Sequence, residues 1–296
     1  VEVLRGPQGT LFGKNTTAGA INVTSKRPNF TPESNLELAY GSDSFMQAKA
    51  SLSGPLSDKV AGRLSFSGTG REGFIFNTVT QNETNTLNNL GFRGQMLIVP
   101  SKRVAVNVSV DHTRQRPEGY AQVIAGVAPT LRPANRQWAQ IISDLNYTPP
   151  SYNAFDRLTD TDTSWQSNQD LGGASVNVDW TVGSGRVTST TAYRYWHWDP
   201  SNDRDFIGLP VTSISAAPSK QHQWTQEVRY AGALSPRVNL VTGIFAFNQA
   251  LDSMLRSYVT SLAPERRRLL ARYRIADVAR KVVGVGSVGT SCWVLL

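Results

Sequence analysis

From residue 35 to 250, apolar and polar positions alternate with a period of two over long segments. This is the pattern of strands with one apolar and one polar face. The clearest runs set Val104, Val106, Val108 and Val110 against Ala105, Asn107, Ser109 and Asp111, and Val176, Val178, Trp180 and Val182 against Ser175, Asn177, Asp179 and Thr181. The alternation predicts nine strands, at 35–40, 46–54, 59–70, 89–99, 103–114, 173–182, 185–198, 221–232 and 237–250. Several are far longer than the usual mode of about five or six residues, too long for an ordinary sandwich.

The connections alternate in length. Short turns rich in Gly, Pro, Ser or Asp are expected at 54–59, 99–103, 182–185 and 233–237, and long polar stretches at 71–88, 115–172 and 199–220. Only the first connection on the long side, Gly41 to Phe45, is short. Segregation of loop length by side is a property of outer-membrane barrels, with brief periplasmic turns and extended outer loops. The fold class expected is therefore all-β, a partial antiparallel transmembrane β-barrel of about nine strands. Tyr193, Tyr195, Trp196 and Trp198 crowd one strand end and are candidates for an aromatic girdle at the lipid headgroup level.

Composition narrows the classes. The chain has 296 residues, one cysteine (Cys292) and 18% charged residues, below the roughly 25% of soluble domains. A lone cysteine excludes a disulfide scaffold and a thiol-pair zinc site. No apolar run reaches the roughly eighteen residues of a spanning helix, and no charged-then-apolar leader precedes the first motif. The net charge of +8 is concentrated in the tail, where Arg256, Arg266, Arg267, Arg268, Arg272, Arg274, Arg280 and Lys281 face only Glu265 and Asp277. The basic balance is thus a local property, and no nucleic-acid partner is expected.

Ahead of the strands stands Val1-Glu2-Val3-Leu4-Arg5-Gly6-Pro7-Gln8-Gly9-Thr10-Leu11-Phe12-Gly13, then Asn15-Thr16-Thr17-Ala18-Gly19-Ala20-Ile21-Asn22-Val23-Thr24-Ser25-Lys26-Arg27-Pro28. It predicts a short strand, a glycine turn, a small-residue loop and a second strand over 20–24. Spacing excludes a phosphate loop, because only three residues separate Gly9 from Gly13 and Lys14 is followed by Asn15.

This segment closely resembles the end of the plug domain of TonB-dependent outer-membrane receptors, over almost thirty consecutive positions, with Ala18 where that family usually has Gly. Asn35 to Ser42 is similar to that family's first barrel strand and hairpin. The resemblance implies an uptake receptor of the cell outer membrane, a barrel of about 22 strands closed by a plug. In that family a small nutrient such as a siderophore binds among outer loops and plug apices, and the TonB energy-coupling protein pulls on the plug. Partners implied are outer-membrane lipid, TonB and a small nutrient ligand, with no cofactor, no metal and no enzymatic activity. Arg5, Gly6, Pro7, Gly9, Gly13, Gly19 and Asn22 would shape and seat the plug. Relative to the family, most of the plug with its coupling motif is missing, and nine strands are fewer than half a barrel. An open sheet leaves edge amides unpaired, which lipid does not tolerate, so this polypeptide alone is not expected to transport.

From about Met254 the alternation stops. An amphipathic helix is expected over 264–279, entered at Pro264, followed by a Gly-rich hairpin carrying Gly284, Gly286, Ser287 and Gly289 before Cys292 to Leu296. The G-x-G-x-x-G spacing lacks the following helix and acidic residue of a dinucleotide site. Leu255 to Leu296 resembles domain of unknown function 2252, a family thought to be kinase-like. That implies an alternative identity, a truncated member of a kinase-like family, with no phosphotransfer supported by what is present. The expected organisation is 1–29 as the end of a plug, 30–253 as the N-terminal part of a barrel, and 254–296 as an unrelated fragment joined near Asp252 to Leu255. A secreted β-sandwich or adhesin with a basic anchoring helix is the third reading.

The histidines His112, His197 and His222 lack metal-ligand spacing and read as interfacial or lumen residues. Asp156, Asp160 and Asp162, and Asp199, Asp203 and Asp205, form loop clusters without a calcium-loop pattern, read as solvated charge rather than Ca²⁺ ligands. Asn82-Glu83-Thr84 fits a glycosylation acceptor, which has no meaning in a bacterial outer membrane.

Overall fold

The computed structural model describes residues 1–8, 16–119, 121–163, 165–211, 215–235, 238–251, 278–281 and 292–295. Nine strands form one antiparallel sheet: β3 (Glu33–Tyr40), β4 (Met46–Ser57), β5 (Val60–Arg71), β8 (Leu87–Ser101), β9 (Val104–Gln115), β11 (Gln166–Val182), β12 (Gly185–Ser201), β13 (Ser219–Ser235) and β14 (Val238–Leu251). Each pairs with its neighbour in chain order, a meander in which β3 and β14 are the edges and both run toward the long loops. Ahead of the sheet, β1 (Glu2–Arg5) pairs with β2 (Gly19–Asn22). Among the described residues three short strands lie in the loops, β6 (Ile75–Asn77), β7 (Asn82–Thr84) and β10 (Leu158–Thr159), with one α-helix, α1 (Trp138–Asp144), and 3-10 turns at Ala134–Arg136 and Ala154–Asp156. In the tail β15 (Val278–Lys281) pairs with β16 (Cys292–Leu295).

All nine expected strands are present, most with ends shifted by one to three residues. Two-residue turns at Asp58-Lys59, Lys102-Arg103 and Gly183-Ser184 line one side, Gly183 with φ +57; the turn at 236–237 lies outside the described residues. At 17 residues, β11, β12 and β13 exceed the roughly nine to eleven that cross a bilayer. Their surplus places the loop-side ends beyond the hydrocarbon.

Register fixes the two faces. One row joins Leu64, Gly94, Val110, Ala174, Tyr193 and Trp224 across six strands. The opposite face carries Glu33, Ser53, Arg63, Gln95, Ser109 and Ser175 in one row. Apolar side chains on the first face are left open, with Leu38 71% and Ile244 74% exposed. The buried apolar residues among those described are only Ala61, Ile75, Ala121 and Trp165. The valine rows are therefore not pressed against a second layer, as a sandwich requires. A contiguous apolar face of this extent suits hydrocarbon, not water.

The tail expectation is met in part. The Gly-rich residues Gly284, Gly286, Ser287 and Gly289 lie outside the described residues, as do residues 264–277 of the expected helix. Val278 and Ala279, placed at that helix's end, are strand instead, because they pair with Leu295 and Val294.

Candidate functional site

The N-terminal segment folds as Gly6 and Gly19 dictate. Gly6 takes φ +81, and its N–H donates to the carbonyl of Ala18 at 3.2 Å. Arg5 is exposed and pairs in register with Gly19, where a Cβ would fall 2.4 Å from the Leu4 carbonyl oxygen; only glycine allows that approach. Asn22 Nδ2 donates to the Glu2 carboxylate across the ribbon at 2.9 Å, and Pro7 is exposed. The structure thus brings Arg5, Gly6, Gly19 and Asn22 into one turn and ribbon. Gly9 and Gly13 lie outside the described residues.

Residues after the ribbon dock on the polar face. Arg27 meets the Asp179 carboxylate at 3.1 Å and Asn177 Oδ1 at 3.4 Å, both on β11. Glu33 binds Lys26 at 2.7 Å and also pairs with Arg63, while the Asn29 N–H donates to Ser53 Oγ at 3.2 Å. The face that receives the N-terminal segment is polar, as is the face a barrel turns to its lumen. Further along it, Asp111 collects Arg93 at 3.3 Å and Arg194 at 2.7 Å.

The four expected girdle rings do not share a face. Tyr193 and Tyr195 stand on the apolar face; their hydroxyls meet His222 Nδ1 at 2.7 Å and His112 Nδ1 at 2.6 Å. Trp196 and Trp198 stand on the polar face, stacked with centroids 5.6 Å apart. The reason is parity: an odd step along a strand reverses the side-chain direction. The apolar face gains Trp224, 5.0 Å from Tyr193, and Trp180 near the opposite end, both of which the alternation pattern offers.

The long loops fold onto one another as a crown. The β6–β7 hairpin pairs through β6 with β10 in parallel. Asn77 Oδ1 accepts the N–H groups of Val79 and Thr80 at 2.9 and 3.1 Å, and its Nδ2 donates to the carbonyl and hydroxyl oxygens of Thr161. Asp203 accepts the N–H of Asp162 at 3.2 Å, of Asp205 at 3.1 Å and of Phe206 at 3.0 Å. Tyr147 donates to Asp160 at 2.7 Å; burial and that carboxylate push its phenol above the usual range.

Solvated charge is the wrong description for two of the loop acids. Asp203 has no exposed surface and Asp160 is buried, because their carboxylates serve as acceptors inside the crown. Among the described residues no group of three or more His, Cys, Asp and Glu comes together to hold a metal ion. Sequence reasoning missed Asn77 and Thr161 as crown residues, and no local signal exists for contacts 84 positions apart. Where the crown meets the loop-side ends of β11 and β12, a cavity of about 370 Å³ opens, walled by Trp165, Trp198 and Phe206.

This geometry has counterparts. The fold is similar to that of the ferric yersiniabactin uptake receptor of Yersinia pestis, with a TM-score of 0.64 and 19% identity, covering 86% of this chain and 37% of that one. It is likewise similar to the ferric-catecholate import receptor of E. coli K12, at TM-score 0.61 and 14% identity over 83% of this chain and 35% of that one. In sequence, the pesticin receptor of Yersinia enterocolitica is 45% identical over 58 residues, 20% of this chain and 9% of its own length. The chain carries partial homology to TonB-dependent outer-membrane receptors.

The described sheet resembles part of a TonB-dependent receptor barrel preceded by plug-like strands. The chain spans well under half the length of the receptors it matches. A second family, described as an uncharacterized protein conserved in bacteria (DUF2252), matches residues 215–296. That match begins ahead of β13, so it takes in two strands of the nine-stranded sheet as well as the tail hairpin.

Proposed function

We propose that this chain is a fragment of an outer-membrane receptor that takes up a scarce nutrient of the siderophore class, and that it performs no chemistry of its own. One observation carries the reading above the rest: a single sheet presents an uncovered apolar face on one side and, on the other, a charged face that receives the plug segment. Apolar surface toward lipid and polar surface toward a plugged lumen is the arrangement that transport of a hydrophilic cargo requires. The crown supports a ligand-facing outer side.

In this reading the cell outer membrane is the location. Lipid meets the apolar face, and energy comes from a TonB-type coupling protein acting on the plug of the full-length receptor. The residues seating the plug are Arg5, Gly6, Pro7, Gly9, Gly13, Gly19 and Asn22. Tyr193 and Tyr195 keep the headgroup-level role. We divide the chain at 1–29, 30–253 and 254–296, and the basic tail gives no reason to invoke nucleic acid.

Membrane fractionation tests the proposal. Recovery in outer membranes or inclusion bodies is expected, and a soluble, monomeric, well-folded product overturns it. Sequencing reads that fail to cross codons 245–265 would mark the join as an artefact, and continuous coverage would establish it as genomic.

A further inference from the structure

All three histidines of the chain come together at the loop-side end of the apolar face, although they sit on three different strands. Register sets them in order. One row beyond Tyr193 and Trp224 stand His112, Gly172, Tyr195 and His222, and one row beyond those stand Arg114, Asp170, His197 and Lys220. Tyrosine hydroxyls hold two of the imidazoles through Nδ1, His112 at 2.6 Å from Tyr195 and His222 at 2.7 Å from Tyr193. His197 meets His222 edge-on, with ring centroids 5.5 Å apart. A phenol both donates and accepts, so either imidazole takes a second proton without losing its tyrosine.

Positive charge outweighs negative in these two rows. Asp170 is their carboxylate; it accepts from Arg116 at 2.5 Å and lies 3.8 Å from His112 Nε2. Arg114, in register with Asp170, is exposed and forms no ion pair among the described residues. Lys220 is exposed beside His197. Farther toward the loops the same face carries Asp199, which accepts from Gln166 Nε2 at 2.9 Å, and then Glu118. The flanking strands bring no charge to these rows, β8 supplying Leu90 and Phe92 and β14 supplying Ala250. Three arginine or lysine cations and three imidazoles thus share one carboxylate, with two more at the outer margin.

Position decides the source of the anion. With Tyr193 and Trp224 at the edge of the hydrocarbon, the cations lie at headgroup depth, on the face opposite the one that Arg27 contacts. Leu90, Phe92 and Val110 beside and beneath them are exposed, and a free anion would leave them so. A lipid covers both parts.

We propose that this patch binds the anionic phosphate headgroup of a membrane lipid on the long-loop side of the wall, and holds it more tightly as pH falls through the range in which histidine gains charge. The proposal rests on the lipid-facing reading of the apolar face given above. Arg114 and Lys220 take phosphate oxygens through charge-assisted hydrogen bonds, the imidazoles add charge at low pH, and the acyl chains lie along Phe92 and Val110.

The test uses the full 296-residue chain refolded in maltoside micelles, with tryptophan quenching by brominated phosphatidylglycerol or brominated phosphatidylcholine. Neither headgroup titrates between about pH 5 and about pH 8, so any pH dependence belongs to the protein. Phosphatidylglycerol should be preferred by about tenfold near pH 5 and about threefold near pH 8. Arg114→Gln should lower the preference about threefold at either pH, and Arg114→Lys, which keeps the charge, should restore most of it and so separate lost charge from lost fold. His197→Gln combined with His222→Gln should hold the preference near its higher-pH value throughout. Lys102→Gln, at the opposite end of the wall, should leave it unchanged. Equal binding of the two lipids, no change with pH, no effect of Arg114→Gln, an equal effect of Lys102→Gln, or loss of the preference to inorganic phosphate in about tenfold excess overturns the headgroup site and leaves the receptor reading standing. A soluble, monomeric chain in fractionation overturns the receptor reading itself.

Discussion

Arg194 on β12 grips both carboxylate oxygens of Asp111 on β9, at 2.7 and 2.8 Å, across the strand between them. The residue underneath is Gly173, in register with both. A Cβ there would lie 3.0 Å from the Arg194 Cδ and 2.0 Å from the Tyr193 carbonyl oxygen. On the other face Tyr195 crosses Gly172 to reach His112 in the same way. The adjacent glycines let β11 be bridged on both sides.

Gly173→Ala should therefore destabilise the sheet by about 1–3 kcal/mol through forced displacement. Gly94→Ala is the control. Its Cβ would meet Val110 Cγ2 at an ordinary 3.6 Å, so it should be neutral or stabilising by about 0.5 kcal/mol. Denaturant titration in micelles distinguishes the two.

The two faces should differ sharply in tolerance for charge. Leu64→Arg, on the apolar face, should cost about 2–4 kcal/mol in a bilayer, whereas Ser67→Arg on the polar face should fall within about 0.5 kcal/mol of neutral. Brominated lipid gives an independent reading. In variants that keep one of the seven tryptophans, Trp180 and Trp224 should be quenched and Trp196 spared.

Asp203 makes the crown sensitive to pH. Burial raises its carboxyl above the ordinary value and Asp205 adds to this, while the N–H groups of Phe206 and Asp205 pull the other way. A carboxyl whose folded value is raised favours the folded crown below the unfolded value near 4 and loses that contribution as pH rises through the folded one. Hydrogen exchange at Asp162, Asp205 and Phe206 should consequently be slower relative to intrinsic rates at pH 4 than at pH 7. Asp203→Asn should flatten this difference and speed exchange at Asp162, whose acceptor becomes a donor.

The contact between plug segment and wall should be real but small. Arg27 is half exposed in its pair with Asp179, so Arg27→Ala should cost about 0.5–1 kcal/mol. Trypsin cleavage after Lys26 should accelerate about two- to fivefold, and Asp179→Asn should add little to the same variant.

Much of the wall was legible because alternation over long segments leaves few other structures. The valines of β9 and β11 fix both element and face. β11 begins at Gln166 and not at 173 because Gln166 to Gly172, above the lipid, need no apolar alternation and are held by pairing with β12. The crown was illegible for a related reason. The β10 partners of β6 lie 82 residues away and the Thr161 partner of Asn77 lies 84 away, and Asp203 lies buried where the loop carrying Asp162 meets its own. No local pattern encodes such contacts.

The directions of β3 and β14 set an arithmetic rule for whatever completes this wall. Since the two margins point the same way, joining them directly would create a seam of co-directed backbones, the one pairing this meander nowhere else employs. Any complement that preserves the alternating sense must insert an odd number of staves; a second copy of this sheet, nine staves, meets that rule only when inverted, and with its long loops on the same side it closes through two such mismatched seams.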